Sequence, residues 1–138
     1  MHCSVIALCS CAITGFLKGV PIMIVFDNAE TVELQRWPKL ADLPFVRVLD
    51  GTPDHSGTHL FGEFNGALQA GVWECTEGTF KYTYPGDEIC VIVEGEVNII
   101  DMSGRVTALS AGSVFFTVKG ESVVWEIKKR VRKIFMIC

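Results

Sequence analysis

Residues 78–120 read GTFKYTYPGDEICVIVEGEVNIIDMSGRVTALSAGSVFFTVKG. This stretch decides the fold. In Thr79–Tyr84, the residues Phe80, Tyr82 and Tyr84 share one face, and Lys81 and Thr83 share the other. That alternation is the period of a strand and not of a helix. Pro85-Gly86-Asp87 then turns the chain. Glu88–Val93 runs to Glu94-Gly95, Val97–Asp101 to Ser103-Gly104, Arg105–Leu109 to Ala111-Gly112, and Val114–Val118 to Lys119-Gly120. Short runs closed by turn residues about every ten positions describe an all-β sandwich or barrel.

The pattern extends both ways. Downstream, Ser122–Lys128 and Arg132–Ile137 read as a last pair of strands, with Lys129-Arg130 near their turn. Upstream, Leu68–Cys75 is a strand ending at Glu77-Gly78. Phe61–Phe64 ends at Asn65-Gly66, a strong hairpin signal. Residues 50–59, DGTPDHSGTH, read as a loop, and Phe45–Leu49 as a short strand. Between 29 and 45, Trp37-Pro38 and Leu43-Pro44 discourage a regular element. Ile22–Phe26 is a compact apolar run. Residues 1–17 are apolar but too short to span a bilayer, and no Lys or Arg precedes Lys18. The expected organisation is one domain over 23–138, with 1–22 an irregular, variable extension.

A chain of 138 residues, 49% apolar and 20% charged, is long enough for one packed core and too apolar for disorder. A net charge of -4 offers no field for nucleic acid or an anionic membrane surface. The six cysteines do not read as a disulfide framework. Cys3, Cys9 and Cys11 crowd the first dozen residues, while Cys75, Cys90 and Cys138 sit in apolar strand patterns. Reduced thiols in a cytoplasmic protein are the expectation.

The spacing Tyr82-x-Tyr84-x3-Glu88-x6-Gly95, followed by Gly112-x5-Val118-x-Gly120, resembles the two motifs of the cupin superfamily. The phrases Ala70–Thr76, Asp87–Cys90, Trp125-Glu126 and Arg132–Ile134 are similar to a subgroup of small cupins. That subgroup is related to the ureidoglycine aminohydrolase cupin domain and to the cupin encoded with ethanolamine utilisation. The resemblance covers roughly residues 44–138. It implies an RmlC-like jelly roll, the cupin double-stranded β-helix, often a homodimer. It implies no single reaction.

Cupins typically hold a transition metal with three His and one Glu. Here Tyr82 and Tyr84 stand at the paired histidine places and Val123 at the third, leaving only Glu88. Valine cannot ligate and a neutral phenol is a poor ligand, so no metal and no other cofactor is expected. His55 and His59 read as a solvated loop pair.

Strand alternation puts Cys90 and Ile92 on the same side as Glu88. The family register adds Tyr82, Tyr84, Val123 and Trp125, with Lys133 and Phe135 from the last strand. Trp73 shares a face with Cys75, which of the two being open. The expected lining is therefore aromatic, with one carboxylate, phenols, a thiol and an ammonium group. Such a cleft suits a small molecule. Two functions follow. One is binding of a small polar organic ligand in a metal-free pocket. The other is acid–base turnover of a small metabolite with Glu88 as candidate catalytic group, since burial disfavours a carboxyl's charged form. Cys90 lacks an activating His in sequence and reads as an inert thiol. The run Lys128–Lys133 reads as a solvated hairpin tip.

Overall fold

Alternation at period two builds strands, and the computed structural model, which describes residues 23–138, consists of strands and one three-residue 3-10 turn at Leu40–Asp42. The strands are β1 Gln35–Arg36, β2 Val46–Asp50, β3 His55–Phe61, β4 Gln69–Cys75, β5 Gly78–Thr83, β6 Glu88–Asp101, β7 Val106–Ser110, β8 Val114–Thr117 and β9 Ser122–Ile137. All pairings are antiparallel.

Two long strands organise the molecule. The second half of β9 lies between β4 and the start of β6, and its first half lies between β5 and the end of β6. Extending outward, one layer reads β1-β3-β4-β9-β6-β8 and the other β2-β5-β9-β6-β7. β6 and β9 belong to both layers. Long strands that bend from one layer into the next make the corners of a jelly roll.

These corners correct two readings of the sequence. Glu94-Gly95 is not a turn between strands but an irregularity within β6, with register shifts from Ile92 to Val97. Before it the buried residues are Glu88, Cys90 and Ile92; after it, Val97. The inward parity flips from even to odd, as a bulge requires. Gly95 has φ 97°, and a Cβ there would lie 2.2 Å from the Arg130 carbonyl oxygen on β9. Likewise Lys128–Arg130 is no hairpin tip. It is the exposed bend of one continuous strand, with Val123, Trp125 and Ile127 buried before it and Val131, Lys133 and Phe135 after it.

Three further readings change. Residues 55–59 are strand and not loop, because β3 pairs with β4 from His55↔Cys75 onward. The hairpin between them is a loop over residues 62–68 and not a two-residue turn; Asn65 takes φ 63° within it. Residues 23–26 form no strand. The proposed extension 1–22, with Cys3, Cys9 and Cys11, lies outside the described residues. Strand-like segments at Phe45–Leu49, Leu68–Cys75, Thr79–Tyr84, Arg105–Leu109 and Val114–Val118 form within a residue or two of their expected limits.

The core lies between the layers. Trp125 is its centre, stacked on its cross-strand neighbour Phe80 and edge-on to Trp73. Fully burying an aliphatic or aromatic side chain stabilises the fold by roughly 1.5–3 kcal/mol. Among the described residues, no helix is long and apolar enough to cross a membrane.

Candidate functional site

One end of the barrel stays open. A cavity of about 70 Å³ enters between the layers there. Its floor is set by cross-strand pairing. Cys90 lies opposite Phe135 and Ile92 opposite Lys133, which brings the Lys133 ammonium to the Glu88 carboxylate 45 residues earlier in the chain. Lys133 Nζ donates to Glu88 Oε1 at 2.5 Å and lies 3.4 Å from Cys90 Sγ. The Cys90 thiol donates to the same oxygen at 2.9 Å. Glu88 is 1% exposed, and its second oxygen, Oε2, is buried with no hydrogen-bond partner.

The wall above this floor is aromatic. Lys133 Nζ lies 5.0 Å from the ring centroids of both Trp73 and Trp125, within cation–π range. Phe80, Tyr82, Phe135 and Ile137 complete the wall. Tyr82 packs edge-on against Phe45 and Tyr84. Tyr84 accepts from Trp125 Nε1 at 3.3 Å.

The roof comes from the irregular stretch before β2 and from the 62–68 loop: Trp37, Leu40, Leu43, Phe45, Phe64 and Asn65. Trp37 lies flat on Gly57, where a Cβ would stand 2.5 Å from its ring. Only glycine lets the indole approach so closely. His55 pins this roof. Its Nε2 sits 2.6 Å from the Pro38 carbonyl, and Trp73 Nε1 donates to its Nδ1 at 3.0 Å. A carbonyl can only accept and an indole N–H can only donate. The ring is therefore the neutral tautomer with hydrogen on Nε2.

Environment tunes these groups. Burial lowers the His55 pKa below its ordinary 6.5, with the Pro38 bond and Asp54 opposing. Burial also raises the Tyr82 and Tyr84 phenols and the Cys90 thiol, with Lys133 partly offsetting it, so all three keep their protons. Burial works against the Lys133 ammonium, but the Glu88 carboxylate in contact with it outweighs burial and holds its pKa well above the ordinary lysine value. Cys75 is pushed up to about 12, chiefly by burial.

Of the residues singled out from sequence, Trp73, Tyr82, Glu88, Trp125 and Lys133 reach the cavity wall. Tyr84, Cys90 and Val123 are buried behind it. His55, read from sequence as a solvated loop residue, is 4% exposed and lines the cavity. Sequence reasoning missed it because a strand beginning in a Gly-, Pro- and Asp-rich stretch looks like a loop. It missed the roof because irregular segments have no period. The signal there was apolar residues, Trp37, Leu40 and Leu43, in a segment read as having no regular element.

The residues at the positions a cupin metal would use do not fit a metal. Two phenols that hold their protons and a valine accompany Glu88, and an ammonium group already stands on its carboxylate. A cation placed beside Lys133 would be repelled. Among the described residues, no group of three or more His, Cys, Asp or Glu is placed to hold a metal ion.

Residues 62–135 match the sequence profile of the EutQ-like cupin domain. The chain belongs to that family. This EutQ-like cupin is 32% identical over 69 residues to acetate kinase EutQ of Clostridioides difficile (strain 630), covering 50% of the chain and 43% of that protein. It thus spans less than half the length of the curated relative it matches. Its structure is similar to a putative ethanolamine utilization protein Q from Salmonella typhimurium LT2, with a TM-score of 0.60 at 22% identity over 80% of this chain and 81% of that one. It is also similar to the Clostridium difficile EutQ protein, with a TM-score of 0.53 at 29% identity over 62% of each chain. The cupin fold expected of the sequence is therefore the fold of this domain, and its specificity is unassigned.

Proposed function

We propose that this EutQ-like cupin is a metal-free receptor for a small polar organic molecule, which enters the open end of the barrel and rests on Glu88 and Lys133. One observation carries the reading: Glu88, which lines the cavity, keeps a buried carboxylate oxygen, Oε2, without a partner. An unsatisfied buried acceptor costs about 1–3 kcal/mol, and more when charged. A ligand N–H or O–H would remove that cost. Acid–base turnover through Glu88 is the alternative. It is less favoured because Oε1 is already engaged by both Lys133 and Cys90.

Trp73 and Trp125 report on the cavity directly. Titration of their fluorescence with small alcohols, amides, amines, carboxylates and sugars is expected to saturate for at least one compound. Glu88→Leu should weaken that compound tenfold or more. Stoichiometric metal in the purified protein that disappears with Glu88→Gln would overturn the reading, as would silence across the whole set.

We also read the outer face of β6, β8 and β9 as the seat of a second copy of the chain. Ile89 pairs with Phe116 and Met136, and half-buried Val91 with Val114 and Ile134, so that Ile89, Val114, Phe116, Ile134 and Met136 form one exposed apolar surface. Sedimentation velocity should show a dimer that Phe116→Glu dissociates. The free thiols of Cys75, Cys90 and Cys138 support a reducing, cytoplasmic setting.

A further inference from the structure

The charges around the cavity sum to zero, and this restricts what the floor can hold. Glu88 and Lys133 cancel as a contact pair. Tyr82, Tyr84 and Cys90 keep their protons, and His55 is neutral by its hydrogen bonds. A ligand with net charge would lose its water here and meet no free counter-charge. Burying an ion without a counter-charge costs roughly two or more orders of magnitude in affinity.

The place for a cation is also taken. An ammonium ligand would seek the faces of Trp73 and Trp125, but the protein's own Lys133 nitrogen occupies that position, 5.0 Å from each ring. A carboxylate ligand fares no better. The Lys133 charge is already neutralised by Glu88, a like charge in contact with it.

What remains unsatisfied is a pair of complementary groups. Glu88 Oε2 needs a donor. Lys133 has three N–H bonds, of which one serves Glu88 and one points toward Cys90, leaving one to give. A hydroxyl or a primary amide answers both, since each donates and accepts within one small group. The cavity of about 70 Å³ sets the size. A water needs about 10–15 Å³ on this measure, so roughly five to seven non-hydrogen atoms fill it.

We propose that the pocket selects small uncharged molecules bearing a hydroxyl or primary amide, and discriminates against carboxylates and ammonium ions of the same size. The inference rests on the receptor reading above and adds the chemical class of the ligand.

Four probes of similar size and different charge test it: acetamide, propan-2-ol, acetate and isopropylammonium. Each is titrated into the full chain, with binding read from the chemical shifts of the Trp73 and Trp125 indole N–H groups. The expected result is saturation by acetamide or propan-2-ol at concentrations at least tenfold below those needed for acetate or isopropylammonium. Saturation by acetate or isopropylammonium at equal or lower concentration would overturn the charge rule while leaving the receptor reading intact. No shift with any of the four would overturn both. Glu88→Gln and Lys133→Met, checked for native fold by circular dichroism, sharpen the result. The first leaves Lys133 unbalanced and should move preference toward acetate; the second leaves Glu88 unbalanced and should move it toward isopropylammonium. Unchanged preference in a folded Glu88→Gln protein would count against the proposal.

Discussion

Arg132 and Lys133 are adjacent on β9, point to opposite faces, and are almost equally covered, at 12% and 9% side-chain exposure. Their surroundings differ completely. The Arg132 guanidinium donates to Glu74 at 2.8 Å and to the carbonyls of Ala29, Glu30 and Val32, tying the segment before β1 to the outer face of the sheet. Lys133 has one carboxylate oxygen, a thiol and aromatic faces, and its carboxylate partner keeps an orphaned oxygen. Equal burial therefore carries different meaning. A charge held by a carboxylate and three backbone carbonyls is a structural clamp. A charge in an incomplete network beside a cavity is a place for something else to bind.

The largest test of this contrast is Lys133→Met. It leaves Glu88 charged and uncompensated, and should cost about 3–5 kcal/mol in urea unfolding. Adding Glu88→Leu in the same protein should restore most of that loss, because a buried pair replaced by apolar groups is often neutral. If the double variant is as unstable as the single, the pair matters for packing and not for charge. Arg132→Met should have a smaller effect, about 1.5–3 kcal/mol, the range for hydrogen bonds to a charged group. Hydrogen exchange should then show residues 29–32 losing protection while the cavity indoles stay unchanged. Perturbed indoles would mean that the two faces are coupled.

His55 offers a third comparison, a buried polar group that is fully satisfied yet titratable. Its folded pKa lies below the ordinary 6.5, so the unfolded chain takes up a proton more readily. Its contribution is therefore fully present above about pH 6.5 and is lost as pH falls toward the lowered folded value. A proton on Nδ1 would also remove the acceptor used by Trp73. Unfolding midpoints measured across this range should decline on acidification, and His55→Gln should flatten the slope. The unsatisfied Trp73 N–H sets the loss at about 1–3 kcal/mol.

Much of this contrast was legible in the sequence and part was not. Alternation from Glu88 put Cys90 and Ile92 inward, and the family register added Lys133 and Phe135. The spacing from Tyr82 to Gly95 placed them in one family register. The same local rules failed at Glu94-Gly95 and Lys128–Arg130. Glycine and charged residues serve a bulge or an exposed bend as readily as a turn, and only the partner strand tells them apart. They failed again at His55, whose burial depends on Pro38 and Trp73.

By itself, then, the sequence determined the all-β class, the cupin register, the side shared by Glu88, Cys90 and Ile92, and the absence of the histidines a cupin metal would need. These depend on side-chain chemistry and a period of two, which act over a few residues. The tertiary structure alone decided that Lys133 meets Glu88, that the ammonium lies between Trp73 and Trp125, and that Trp37 and His55 close the roof. Each of those contacts joins segments far apart in the chain. Their geometry follows from cross-strand register and from the bends in β6 and β9, which no local pattern encodes.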